Sequence, residues 1–443
     1  MKFLLVLAGL VLALPAWVHP TVLGDLAASM KAGEWRELKT NNINPTLGNT
    51  GGASGVIIGY TDDIVWDPNT HGLYFIGSDH FHSTGYARFV TYAETTNTWR
   101  ELPRPIWFQP LTETAMHGYH HTTINPATGE LYHRPMGAKR AVNRYSLTAA
   151  TWRSGFSLPT SLLPNESDMA CCIGVSFFPE LKGLVFVDGG GNQNIYEFST
   201  ATYKWSMLKS GVPMGAYQST AEYNPIYKVV VGGGGNGSNA LYKIDSLGTV
   251  TALKPAPFNI GIEQTIFTVD PVSGDYLVFN NSGQFYTYNV QTDTWRLQAA
   301  APPVFTGSFG VPVHGTAATP VSTYGVVAFV TCESSDSSRV IVYKHSASTG
   351  VESRGLNTRG PTFLTVSPNP IASKAMLKLT ERNQGPALLR IYDVNGKRVA
   401  DLSSQAESNP VITWDTRNLP NGIYLLQARI LGKYLAQKLL VQK

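Results

Sequence analysis

The chain has 443 residues, a formal net charge of +4 and only 14% charged residues, beside 42 Gly, 21 Tyr and 9 Trp. So small and scattered a basic excess argues against a nucleic-acid partner. Three Cys, two of them adjacent, make no disulfide framework, so a chain of this length must be held by a packed core.

Met1-Lys2 is followed by an apolar run from Phe3 to Trp17, with small residues near Ala16. This reads as a secretory signal peptide over residues 1–20, too short for a spanning helix, and no later stretch is long and apolar enough to cross a bilayer. Between residues 60 and 350 a Pro-centred turn recurs six times: Asp67-Pro68, Asn125-Pro126, Phe178-Pro179, Asn224-Pro225, Asp270-Pro271 and Thr319-Pro320. An aromatic closes a strand-like run after each turn (Tyr92, Tyr145, Tyr196, Tyr242, Tyr286 or Tyr288, Tyr343), and four copies add a Trp: Trp99, Trp152, Trp205 and Trp295. In the first copy, Asp63–Trp66, Leu73–Ile76, Arg88–Tyr92 and Thr98–Leu102 read as four short strands, β-branched or aromatic and bounded by turn residues. Repeats of four strands are the mark of a β-propeller.

Copy six ends after Val340–Lys344 without its fourth strand. Glu34-Trp35-Arg36-Glu37-Leu38 supplies a matching one, close in sequence to Thr98-Trp99-Arg100-Glu101-Leu102. The N-terminal segment is therefore expected to complete the last blade and close the ring, which removes an exposed sheet edge. The fold class is all-β: a six-bladed propeller over residues 33–345, a linker over 346–362, and an Ig-like β-sandwich over 363–443. With the Tyr…Thr-x-Thr/Asn-x-Trp spacing and the runs Gly189–Gly191 and Gly232–Gly235, the blades resemble kelch and galactose-oxidase-like propellers. That resemblance speaks to fold more than to activity.

In the C-terminal module, Asn395-Gly396 is a hairpin signal and about seven short strands are expected. Ser367-Pro368-Asn369-Pro370, Ile391-Tyr392-Asp393-x-x-Gly396, Leu419-Pro420-Asn421-Gly422-Ile423-Tyr424 and a terminal Lys443 resemble the C-terminal sorting domain of proteins exported by the type IX secretion system. The resemblance implies secretion or display at the cell surface, with the secretion machinery as a partner and the tail as an address.

A propeller gathers the connections between blades at one mouth of its central channel, the default place for a site. Most of the ten His map there, six of them from blades 1 and 2. Three readings compete. A polysaccharide lyase needs a base, an acid and a cation for the substrate carboxylate, and Tyr119, His120 or His121, His133 and Arg134 supply those types. Asp63, His80, His82, Arg140, Asp188, Tyr217, Gln218, Glu263 and His314 would contact the substrate. The second reading is a divalent-metal or galactose-oxidase-like copper site, drawing on His80, His82, Tyr119, His120, His121 or His314. The third is a non-catalytic propeller that binds extracellular glycan or acts as a surface scaffold. Cys171-Cys172 is either a vicinal disulfide forming an apolar platform at the mouth or two buried thiols.

Overall fold

The computed structural model describes residues 21–48, 56–78, 87–104, 117–165, 170–298, 313–346, 364–379, 387–393, 398–430 and 433–443. The expected signal peptide, His80, His82, most of the linker and the Asn395-Gly396 turn lie outside the described residues. The chain forms two compact units, Met1–Ser348 and Thr349–Lys443.

Among the described residues, the first unit holds six four-stranded antiparallel sheets. Blade 1 is Val65–Asp67, Gly72–Gly77, Arg88–Ala93 and Thr98–Leu102. Blade 2 is Thr122–Asn125, Glu130–His133, Ala141–Ser146 and Thr151–Ser157. Blade 3 is Gly174–Phe178, Gly183–Asp188, Asn194–Ser199 and Lys204–Lys209. Blade 4 is Ser219–Asn224, Val229–Gly234, Leu241–Ile244 and Val250–Ala252. Blade 5 is Thr265–Val269, Tyr276–Asn280, Phe285–Asn289 and Thr294–Leu297. Blade 6 is Thr316–Val321, Val326–Ser334 and Ser337–Lys344, completed by Glu34–Leu38. The innermost strand of each blade touches that of the next, and blade 6 touches blade 1, so the ring closes.

Local chemistry explains the blades. Second strands such as Gly72–Gly77 and Tyr276–Asn280 are buried throughout because neighbouring blades cover both faces, and they read as continuous apolar runs. Outer strands such as Lys204–Lys209 are largely exposed. At the Pro turns the preceding Asp or Asn accepts from the turn backbone: Asp67 Oδ2 from Thr70 N at 3.0 Å, Asn224 Oδ1 from Ile226 N at 3.1 Å, Asp270 Oδ2 from Ser273 N at 2.8 Å.

Glu34–Leu38 pairs antiparallel with blade 6, Trp35 opposite Tyr343. Their rings stack at 3.9 Å, and Phe279, Phe285 and Phe329 surround the indole. A helix at Val22–Ser29, absent from the sequence reading, buries Leu23 and Ala27 beside this closure. Its N-cap residue Thr21 and Tyr324 both donate to the buried carboxylate of Glu94, and Lys344 Nζ donates to Ala27 O at 2.9 Å.

The second unit is a sandwich. One sheet is Leu364–Ser367, Lys374–Leu379 and Val411–Asp415; the other is Arg398–Asp401, Ala387–Asp393, Gly422–Ile430 and Lys433–Val441. Strict alternation on Lys374–Leu379 turns Ala375, Leu377 and Leu379 to a core with Ile391, Trp414 and Leu426. The sequence motifs meet at the chain end. Asn369 Oδ1 accepts from Leu440 N at 2.8 Å, Asn421 Oδ1 accepts from Lys443 N at 3.0 Å, and Lys443 Nζ donates to the carbonyls of Arg417 and Leu419 at 2.6 Å.

Candidate functional site

The loops that open each blade meet at the mouth. Tyr119 N donates to Tyr60 O and Gln218 N to Cys172 O, each at 2.8 Å, and Ile262 N donates to Gln218 O at 3.2 Å, so successive blades are tied at equivalent places. Tyr119, Gln218 and Glu263 sit there at φ 43°, 65° and 70°. A left-handed backbone at large side chains costs about 1–3 kcal/mol each; among the described residues nine other non-Gly residues adopt it too.

All six blades contribute. Tyr119, Cys172 and Ile262 are buried in one cluster, with Tyr60, Met136 and Cys171 packed against it. Cys171 and Cys172 form a disulfide. Tyr60 lies 4.8 Å from His117 and 4.9 Å from His314, ring centre to ring centre, and His117 lies 5.0 Å from Tyr119. Gln218 Nε2 donates to Glu263 Oε2 at 3.0 Å, and His314 Nε2 stands 3.4 Å from Glu263 Oε1. Burial, with the nearby Glu263 carboxylate and Tyr60, pushes the Tyr119 phenol above its ordinary range. Tyr217 next to this group is 49% exposed. The structure thus brings together Tyr119, Cys171, Cys172, Gln218, Glu263 and His314, with Tyr217 alongside.

The other expected residues are placed differently. His120 Nε2 donates to Ala221 O at 2.6 Å and Nδ1 faces Asp62 Oδ1 at 2.9 Å. Burial alone would lower its pKa, but the carboxylates of Asp62, Asp63 and Glu222 raise it to about 10. The ring is an imidazolium donating from both nitrogens, so it has no lone pair for a proton or a metal. His121 Nε2 takes the backbone N–H of Ile173 and a guanidinium N–H of Arg134, each at 3.2 Å. Burial and Arg134 hold that ring neutral, its pKa well below normal, and its lone pair is already used. His133 Nδ1 pairs with Thr122 Oγ1 at 2.9 Å, and burial, then Arg134, lowers its pKa to about 3. The general-base role expected of these three His therefore has no available nitrogen at His120 or His121 and a poor proton acceptor at His133.

Arg134, expected to bind a substrate carboxylate, is 1% exposed and spent on the protein itself. It donates to the carbonyls of Cys171 at 2.6 Å, Ala170 at 2.8 Å and Lys139 at 3.1 Å. Asp188 Oδ1 accepts from Ala170 N at 3.0 Å and Gly190 N at 2.8 Å, and burial raises its pKa. Arg140 donates to the carbonyls of Leu163 and Pro164 at 2.6 and 2.7 Å. Arg134 and Asp188 thus hold the segment that leads into the disulfide, and Arg140 holds the Leu163-Pro164 loop. Asp63 lines the channel cavity with His120 and not the mouth cluster.

Among the described residues no group of three or more His, Cys, Asp or Glu side chains is arranged for a metal. The Tyr119-His120 pair suggested by the galactose-oxidase resemblance does not fit copper, because His120 offers no lone pair. Sequence reasoning also missed Glu222, whose only signal was a lone acid in an innermost strand.

The sheets define a six-bladed propeller protein with a C-terminal β-sandwich. Residues 365–442 match the family described as the secretion system C-terminal sorting domain, and the chain is accordingly a secreted or cell-surface protein. Among solved structures it is similar to PorZ, a surface component of the type-IX secretion system of Porphyromonas gingivalis, at 11% identity and TM-score 0.37, over 87% of this chain and 60% of that one. It is also similar to a fungal alcohol oxidase of the AA5 family in complex with copper, at 12% identity and TM-score 0.40, over 93% of this chain and 100% of that one. No curated protein matches the sequence.

Proposed function

We propose that this protein is an exported glycan-binding propeller whose ligand seats at the mouth without being chemically altered. The observation that carries the reading is the convergence of six blades on one cluster: Tyr60, Tyr119 and the disulfide as an apolar floor, with Gln218 hydrogen-bonded to Glu263 and His314 3.4 Å from the same carboxylate. A few fixed polar groups beside a largely apolar cluster suit a neutral ligand with both hydroxyls and C–H faces. Tyr217, half-exposed, presents a ring for a sugar face. Binding is favoured over lyase chemistry because His120, His121 and Arg134 are committed to holding the framework.

A glycan array probed with the secreted chain, and with Tyr217→Ala and Gln218→Ala, tests this. Binding to a defined glycan class, weakened about tenfold or more in each variant, supports it; tenfold corresponds to about 1.4 kcal/mol. Unsaturated uronate released from any polysaccharide would overturn it in favour of the lyase.

A further inference from the structure

The innermost strands line a partly open cavity of about 160 Å³, bounded by all six turn prolines: Pro68, Pro126, Pro179, Pro225, Pro271 and Pro320. These turns end strands that begin at the mouth, so the cavity belongs to the opposite end of the channel. Trp66, Phe177 and Tyr223 contribute aromatic wall. Its charged lining consists of His120 from blade 2, Asp63 from blade 1 and Glu222 from blade 4.

His120 is bonded by Asp62 from outside the lining and faced by Asp63 and Glu222 within it, so the three carboxyl groups, if ionised together, outnumber the single His120 cation. Asp62 Oδ1 takes its Nδ1–H, while Asp62 Oδ2 is buried with no hydrogen-bond partner, on a side chain only 2% exposed. Glu222 Oε2 lies 4.0 Å from His120 Nε2, whose hydrogen already goes to Ala221 O. Asp63 and Glu222 therefore face the cavity without a cation of their own.

We propose that this cavity is a binding site for a small organic ammonium ion, a primary amine with an apolar body about the size of a benzene ring. An engineered apolar cavity of roughly 150 Å³ holds benzene, so the volume suits that body. An ammonium supplies the missing charge and three donors, and aromatic walls attract cations. Burial raises the pKa of Asp63 to about 7 and that of Glu222 well above the carboxylate range, the response expected of acids lacking a counter-ion. A bare metal ion is disfavoured because His120 has no lone pair and no group of three or more His, Cys, Asp or Glu among the described residues is arranged for one.

The test uses the whole chain and three probes of similar shape: benzylamine, benzyl alcohol and benzoate, titrated calorimetrically at a pH where the amine is charged. The expected result is that benzylamine binds at least about tenfold tighter than benzyl alcohol, a difference of about 1.4 kcal/mol, and that benzoate does not bind. Glu222→Gln and Asp63→Asn are each expected to weaken benzylamine at least tenfold. No benzylamine binding to the wild type, equal binding of amine and alcohol, or undiminished binding by both variants would overturn the proposal. The probe series on the wild type decides even if neither variant folds, and it is independent of the glycan reading because the two sites share no residue.

Discussion

The guanidinium of Arg134 donates to the carbonyl of Cys171 at 2.6 Å, so a fully buried cation holds the loop that carries the disulfide at the mouth. The same fork reaches Ala170, Lys139 and His121. Hydrogen bonds from a charged donor contribute about 1.5–3 kcal/mol each, and orphaned carbonyls add their desolvation. Arg134→Met is expected to destabilise the propeller by roughly 3 kcal/mol or more. Arg134→Lys should restore little, because a single ammonium cannot reproduce the planar fork. Urea denaturation of the three proteins measures both; a loss under about 0.5 kcal/mol in Arg134→Met would show that the brace matters little.

The disulfide itself should hardly stabilise the fold. It joins residues adjacent in sequence, so it closes no loop in the unfolded chain. Cys171→Ser with Cys172→Ser is expected to change stability by about 1 kcal/mol or less while weakening glycan binding about tenfold. Equal binding by the double variant would remove the disulfide from the ligand platform.

Ring closure rests on Trp35 against Tyr343 and three Phe rings. Trp35→Ala should cost about 3–5 kcal/mol through lost burial and the cavity left behind. Removing residues 21–38 would in addition bare the edge of Ser337–Lys344, so aggregation during refolding is expected. Thermal unfolding and light scattering report the two effects separately.

Two histidines set opposite pH windows. His133 has its folded pKa lowered to about 3, from 6.5, by burial and then Arg134. Its contribution is full above about pH 6.5 and is lost as pH falls toward 3, because the unfolded chain takes up a proton that the fold refuses. His120, raised to about 10 by its carboxylates against the effect of burial, contributes fully below about pH 6.5 and loses that contribution as pH rises to 10. The stability gap between wild type and His133→Asn should therefore narrow on acidification, and that between wild type and His120→Gln should narrow on alkalinisation. Gaps that stay constant across these windows would contradict the assigned charge states.

The blades were legible because their signals are local. Asp67-Pro68, Trp35 and Trp99 carry turn and strand chemistry within a few residues, and the match of Trp35 to Trp99 foretold the closure found at Tyr343. The helix at Val22–Ser29 follows closely on the apolar run from Phe3 to Trp17 and carries no strand or turn signal of its own. The mouth was legible as a place, and Tyr119, Gln218, Glu263 and His314 do meet there. The roles of His120, His121 and Arg134 were not, because their partners come from other blades: Asp62, Ala221, Ile173 and Cys171. A histidine's chemistry follows from which nitrogen is already engaged, and no spacing rule reveals that. Glu222 looked like one polar residue in an ordinary strand, and only closure of the ring set it beside His120.

The most direct measurement is calorimetric titration of a glycan found on the array into wild type and Gln218→Ala, with absorbance of the mixture followed for unsaturated product. The account predicts saturable binding, at least about tenfold weaker in the variant, and an intact glycan recovered at the end. Product formation, or identical affinity in the two proteins, would contradict it.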